Sequence, residues 1–216
     1  MNYKKELQII FIIFLCGSFF GYVLENVLTT LKGVYVLRQG LIYEPLIPIY
    51  GIGALVFYFL LTSIHLKHKN KALNYLFVFF ISFIFGGLIE YVVSFIQEKI
   101  FGTISWDYTY LPFNINGRTS LFHAISWGII GILYYIFIIP IINKIKYKSS
   151  SIYTNLLIVI LCLITIFDIS ISTLACYRRT ERRNGIDATN KIERFLDKYY
   201  PDEIIDYYFS NAKIKK

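Results

Sequence analysis

The stretch IIFIIFLCGSFFGYVLENVL, residues 9–28, decides the fold class. It is apolar over the roughly 20 residues that a helix needs to cross the hydrocarbon core of a bilayer. It also holds one carboxylate, Glu25. The pattern returns at FGGLIEY, residues 85–91, with Glu90 in the equivalent place. A charge inside such a run is costly, and it marks a position that is paired or functional.

Working outward, the apolar residues gather into five blocks, 7–30, 46–64, 73–97, 119–142 and 152–176. The 216-residue chain is 56% hydrophobic, above the ~45–50% of soluble domains by a count that includes Gly. The expected class is all-α, a polytopic membrane helix bundle of about five transmembrane helices within residues 1–178. A polar, amphipathic tail over 179–216 is expected to follow. In that tail Ile192, Phe195, Leu196 and Tyr199 share one helical face, Pro201 interrupts, and Ile204, Ile205, Tyr208 and Phe209 resume the pattern. Lys4 and Lys5 precede a long apolar run with no small-residue cleavage site, so the start reads as a first, retained helix.

The net charge of +8 does not call for nucleic acid, because the basic residues flank the spans as in membrane proteins generally. The lipid bilayer is the expected partner. Lys4, Lys5, Lys67, Lys69, Lys71, Lys144, Lys146 and Lys148 fall on one side, against Lys32, Arg38, Lys99 and Arg118 on the other. The positive-inside rule then places the N-terminus in the cytoplasm of a multi-pass cell-membrane protein. YRRTERR, residues 177–183, opposes this, since five spans put it outside.

An offset of 65 residues sets Gly17, Gly21, Glu25 and Thr29 on Ser82, Gly86, Glu90 and Ser94, each set spaced by four along one helix face. Small residues at this spacing let helices approach closely. An offset of 77 sets YGIGALVFY, from Tyr50, on WGIIGILYY, from Trp127. A parallel internal repeat of two-helix units is expected, about 7–64 and 73–142, with the fifth span outside it.

Two connections, residues 33–48 and 101–120, are rich in Gly, Pro, Asn and aromatics, the composition of irregular backbone. Such backbone is tolerated at membrane depth where protein buries it or a wet cavity meets it, so these loops can dip back into the bundle. At a rise of about 1.5 Å per residue, Glu25, Glu90 and Asp168 lie roughly 24–27 Å along their spans, toward that side. The candidate pocket or ion-pair set is Glu25, Glu90, Arg38, Arg118 and Asp168. Crossed pairs, Glu25 with Arg118 and Glu90 with Arg38, would clamp the two halves. The acids either brace irregular backbone or bind a proton, cation or cationic solute at a cavity mouth.

Other chemistry is sparse. His123 reads as a helix–helix hydrogen bonder, and Asp107 sits among interfacial aromatics. Cys16, Cys162 and Cys176 read as packing residues. No metal site, P-loop or nucleophile–base motif occurs, and no catalytic residue or cofactor is assigned.

The blocks FGYVLENV, RQGLIYEPLIPIYGIGAL, GGLIEYVVSFIQEKIFG, WDYTYLPFNINGR and WGIIGILYY, in this order over roughly residues 10–143, resemble the putative ABC-transporter type IV family of CmpB-like permeases. The resemblance aligns family glutamates with Glu25 and Glu90, and an Arg-Gly pair with Gln39-Gly40. It sets Pro-x-x-Pro-x-Tyr-Gly on Pro45, Pro48, Tyr50 and Gly51, and Trp-Asp-Tyr on Trp106, Asp107 and Tyr108. Asn114, Asn116, Gly117 and Arg118 fall in its Asn-x-x-Gly-Arg region. The chain departs from the pattern at Glu44, Ser120 and His123. The resemblance implies a bacterial transporter permease, with a separate ATPase subunit or a homo-oligomer as partner. The residues themselves leave two alternatives open, a membrane-embedded enzyme on lipid-type substrates and a non-catalytic assembly or regulatory protein.

Overall fold

A computed structural model describes residues 3–31, 33, 41–64, 70–147 and 151–214. The chain is all-α, and among the described residues only two-residue strands stand beside the helices. Helix α1 spans Tyr3–Leu31, α2 Pro48–Ser63 and α3 Lys71–Phe101. Helix α4 runs over Leu121–Leu133, passes a π-helical turn at Tyr134–Ile138 and continues over Ile139–Tyr147. The wide turn precedes Pro140, which has no amide to give and whose ring crowds the carbonyl one turn back. Helix α5 spans Ile152–Arg183, and the tail holds α6, Lys191–Tyr199, and α7, Asp202–Tyr208.

Helices α1, α3, α4 and α5 are each long and apolar enough to cross a membrane, by length and composition. The block expected to span 46–64 is present as α2, but it has only 16 residues, about 24 Å of helix. Its N-terminus explains the shortness. Residues 41–47 fold inward as irregular backbone, a turn and bends that begin with Leu41 at positive φ, with Ile42 and Leu46 buried. The Ile47 amide donates to the carbonyl of Ser18, midway along α1, at 3.0 Å. Pro48 then starts α2 already deep in the bundle, at a position where its missing amide costs nothing. The described part of the first motif loop, residues 41–47, therefore dips back into the bundle.

Two helix pairs follow from small residues. Against α2, Gly17 faces Ala54, and Gly21 lies flat on the Tyr50 ring. Against α4, Ser82 faces Gly131, and Gly86 lies flat on Trp127. Trp127 also touches the face of Gly53 and packs against Phe57 and Tyr50 at ring separations of 5.9 and 5.7 Å. It thus joins one helix pair to the other in the main core, with Ile13, Leu61, Val78 and Tyr134 around it.

A second core lies where α5 ends. Ala175, Cys176, Leu196, Ile205 and Phe209 pack together, with Tyr43 and Phe101 against them. The tail docks here, on the side of the two motif loops. The short strand β1, Thr103–Ile104, opens the second motif loop and pairs antiparallel with β4, Lys213–Ile214, near the end of the tail. The basic run that opposed the positive-inside count is spoken for. Arg178 bonds Asp197 and Glu181, Arg179 and Arg183 bond Asp206, and Arg182 bonds Asp197 and Asp202.

Candidate functional site: two carboxylate–tyrosine pairs beneath the motif loops

Glu25 on α1 accepts a hydrogen bond from the Tyr50 hydroxyl at 2.9 Å. Tyr50 stands on the third residue of α2, and the re-entrant loop sets its height. Glu90 on α3 is buried and accepts from the Tyr108 hydroxyl at 3.1 Å and from Thr119 Oγ1 at 2.8 Å. Glu25 thus has a tyrosine from the start of the helix that follows its own, and Glu90 one from the connection that follows its own. The two pairs meet. Tyr108 feels the charge of Glu90, then that of Glu25, and stands by the Tyr50 phenol as well. Burial, followed by those carboxylates, pushes its phenol well above the ordinary tyrosine range.

The second motif loop is built to place Tyr108. Helix α3 closes at Gly102 in the left-handed region, φ 62°. Gln97, near the end of α3, donates to Thr103 and accepts from Ser105. Strands β2, Asn114–Ile115, and β3, Thr119–Ser120, pair antiparallel around a tight turn in which Asn116 and Gly117 both take positive φ. A side chain at Gly117 would also strike Thr109. The Tyr108 amide donates to the Gly117 carbonyl at 2.8 Å, and Trp106 Nε1 donates to the Arg118 carbonyl at 2.8 Å. Asn114 ties the loop to itself through Thr109, Leu111 and Gly117. Asp107 accepts the Thr109 amide, which makes it a turn residue. His123, first turn of α4, stacks on the Tyr108 ring with centroids 3.7 Å apart, and its Nδ1 lies 2.8 Å from Ser120 Oγ.

The remaining expected residues divide. Asp168 serves the other motif loop: its Oδ1 and Oδ2 accept the amides of Tyr43 and Glu44 at 2.9 and 2.6 Å, and Ser172 Oγ donates to it as well. Arg118 corrects the crossed clamp. Its guanidinium pairs with Glu98, not with Glu25, and stacks over Tyr91 and Phe95. The cause is the hairpin turn, which folds Arg118 back over the last turns of α3. The pairing of Glu90 with Arg38 lies outside the described residues. Pro45 is exposed on the re-entrant loop, and Pro48 and Gly51 start α2 against α1.

Several partners had no signal in the sequence. Thr119, Gln97 and Glu98 look like ordinary polar residues until the hairpin returns onto α3. Beside the second loop runs an apolar groove of about 590 Å³, open at the surface, lined by Phe83, Ile84, Leu88, Phe113, Thr119 and Ser120. No group of three or more His, Cys, Asp or Glu side chains that could hold a metal ion occurs among the described residues.

A family model described as "Putative ABC-transporter type IV" matches residues 12–173. The match takes in both carboxylate–tyrosine pairs and continues along α5 through Asp168 and Ser172. It stops short of the arginine run and the docked tail. No curated protein and no solved structure matches the chain.

Proposed function

Because this chain belongs to the Putative ABC-transporter type IV family, we propose that it is a permease-like component of a transport system in a bacterial cell membrane. In this reading Glu25, Tyr50, Glu90 and Tyr108 form its proton- or cation-binding centre. One observation carries the reading: two acids from different helix pairs come within electrostatic reach of the same tyrosine. Intramembrane carboxylates at such a junction suit a relay or cation contact. A separate ATPase subunit would supply nucleotide chemistry, since the chain has no P-loop of its own. The matching contacts at Gly21–Tyr50 and Gly86–Trp127 support descent of the two halves from one duplicated unit.

The test is proton and monovalent-cation flux in proteoliposomes. A hydrogen bond to a charged group is worth about 1.5–3 kcal/mol, so Tyr108→Phe should lower flux roughly ten- to hundredfold. Glu90→Gln should do at least as much. Flux that both variants leave unchanged would remove this centre from the function. A second reading, a membrane enzyme on lipid-type substrates, draws on the apolar groove that Thr119, a donor to Glu90, helps to line. Lipid turnover by the purified protein, lost in Glu90→Gln, would select it.

Orientation belongs to the same proposal. With its arginines paired to the tail, the run at 177–183 folds as a docked unit rather than as a free basic loop. That supports the N-terminus and the Lys-rich loops on the cytoplasmic side. A cysteine placed at Lys198 should react with an impermeant maleimide added outside intact cells, and one placed at Lys144 should not. The reverse pattern would invert the orientation.

A further inference from the structure

The loop over residues 41–47 brings a further acid into the bundle. Glu44 folds its carboxyl against α5, beside Asp168 and next to the Thr165 hydroxyl. All three partners of Asp168 are donors, so its two oxygens are spoken for. Glu44 Oε2 is different: it is buried and has no hydrogen-bond partner. Thr165 Oγ1 is likewise buried without one, on a residue only 2% exposed. The residue as a whole is only half-buried, but an ionised Glu44 would hold that buried oxygen beside a second carboxylate, which is costly. A single proton removes the difficulty. Placed on Glu44 Oε2, it cancels one charge and gives that oxygen a donor aimed at Thr165 Oγ1.

We propose that Glu44, Thr165 and Asp168 form a buried proton-binding site in which Glu44 takes the proton and Asp168 keeps the loop amides. The site latches the re-entrant loop to α5. Tyr43, on the outer side of the same loop, packs against Tyr200, Tyr208 and Phe209 of the tail at ring separations of 5.7, 5.1 and 5.0 Å. The titratable groups around the latch are thus Asp168 and Cys176 of α5, Tyr43 of the loop, and Tyr200 and Tyr208 of the tail. Burial and the Asp168 charge push the Glu44 carboxyl above its ordinary range, and Thr165 pulls the other way. The sign follows. Below the ordinary carboxylate range Glu44 is neutral whether the loop is docked or free, and the latch is complete. As pH rises through the raised value, the docked loop must give up its proton, and docking weakens.

Hydrogen exchange on the full chain in nanodiscs tests this, read on a peptide covering residues 41–47 and corrected for intrinsic exchange. Between about pH 4 and 8, protection in the wild type should fall several-fold as pH rises. Glu44→Gln should flatten that slope at the well-protected level. Asp168→Asn should lower protection at every pH, because its carboxamide cannot accept from three donors at once. A slope that survives Glu44→Gln overturns the proposal. So does protection that follows sodium against choline at fixed pH, which would make this a metal-cation site. If Glu44→Gln fails to fold, infrared titration of the wild type decides. A protonated-carboxyl stretch that disappears over the same pH range is expected, and its absence overturns the site. None of these outcomes depends on the transport reading.

Discussion

Arg178→Ala is expected to release the C-terminal segment from the bundle. Arg178 is 2% exposed at the side chain. Its Nε and Nη2 donate to the two oxygens of Asp197 at 2.9 and 3.0 Å, and its Nη1 donates to Glu181 at 2.9 Å. A two-pronged arrangement of this kind is specific to arginine. Removing one member of a buried pair costs about 3–5 kcal/mol. Asp197 is partly exposed, and water recovers some of that, so about 2–3 kcal/mol is expected here. Arg182 still holds Asp197 after the change, but the second core around Leu196 loses its brace. Arg178→Lys should fall between, because an ammonium cannot fork. The measurement is limited proteolysis after Ile186, together with exchange protection over 191–209. A tail as protected in Arg178→Ala as in the wild type would remove the clamp from the account.

The same clamp has a pH signature opposite to that of Glu44. Arg178 first, and then Arg182, hold the Asp197 carboxyl below its ordinary range. Its stabilisation is complete above the ordinary carboxylate range and fades as pH falls through the depressed value. Tail release should therefore begin on the acid side in the wild type. Arg178→Ala should lose most of that acid limb.

Gly86→Ala is expected to be strongly damaging to the bundle's α3–α4 seam. The new Cβ would fall on Trp127 Cβ and Cγ. Trp127 cannot retreat, because Gly53, Tyr50 and Phe57 close its other side. Overpacking a full core costs typically 1–3 kcal/mol, and this site should lie at or above the top of that range. Glu90 sits one turn further along α3, so the damage should extend to the carboxylate–tyrosine pair. The control is the next residue. A methyl at Gly87 meets Ala124 Cβ at 3.5 Å and Thr119 Oγ1 at 3.7 Å, which is ordinary contact, and Gly87→Ala should be tolerated. Thermal retention of monodisperse protein in detergent compares the two. Equal losses would mean that α3 and α4 do not close on Trp127 as described. Trp127→Gly should be less harmful on top of Gly86→Ala than alone, since it removes the Cβ and Cγ that the methyl strikes.

Much of this was legible from residue order. The apolar blocks announce the membrane helices, because a bilayer admits only backbone whose polar groups are satisfied within the segment. The small residues that precede Glu25 and Glu90 announce where helices touch, and the Pro- and Asn-rich connections announce irregular backbone. Arg118 shows the limit. Charge and symmetry suggested Glu25 as its partner. The hairpin turn at Asn116–Gly117 instead folds it onto Glu98, and a turn's exit direction is not written in its composition. Asp168 was visible as an acid in an apolar helix, but its task depends on a loop more than a hundred residues earlier. The pairing of the arginine run was hidden for the same reason: apart from Glu181, its counter-charges are dispersed over α6 and α7 and come together only when the tail docks.

The sequence by itself determined the membrane class, the helix seams and the two glutamates with their motif loops, since these follow from hydropathy, spacing and local backbone preference. Only the tertiary structure decided which donors those acids receive, how deep the first loop enters and that the tail seals the same side. These are long-range contacts, and each is chosen by which buried polar groups can satisfy one another once the helices have closed.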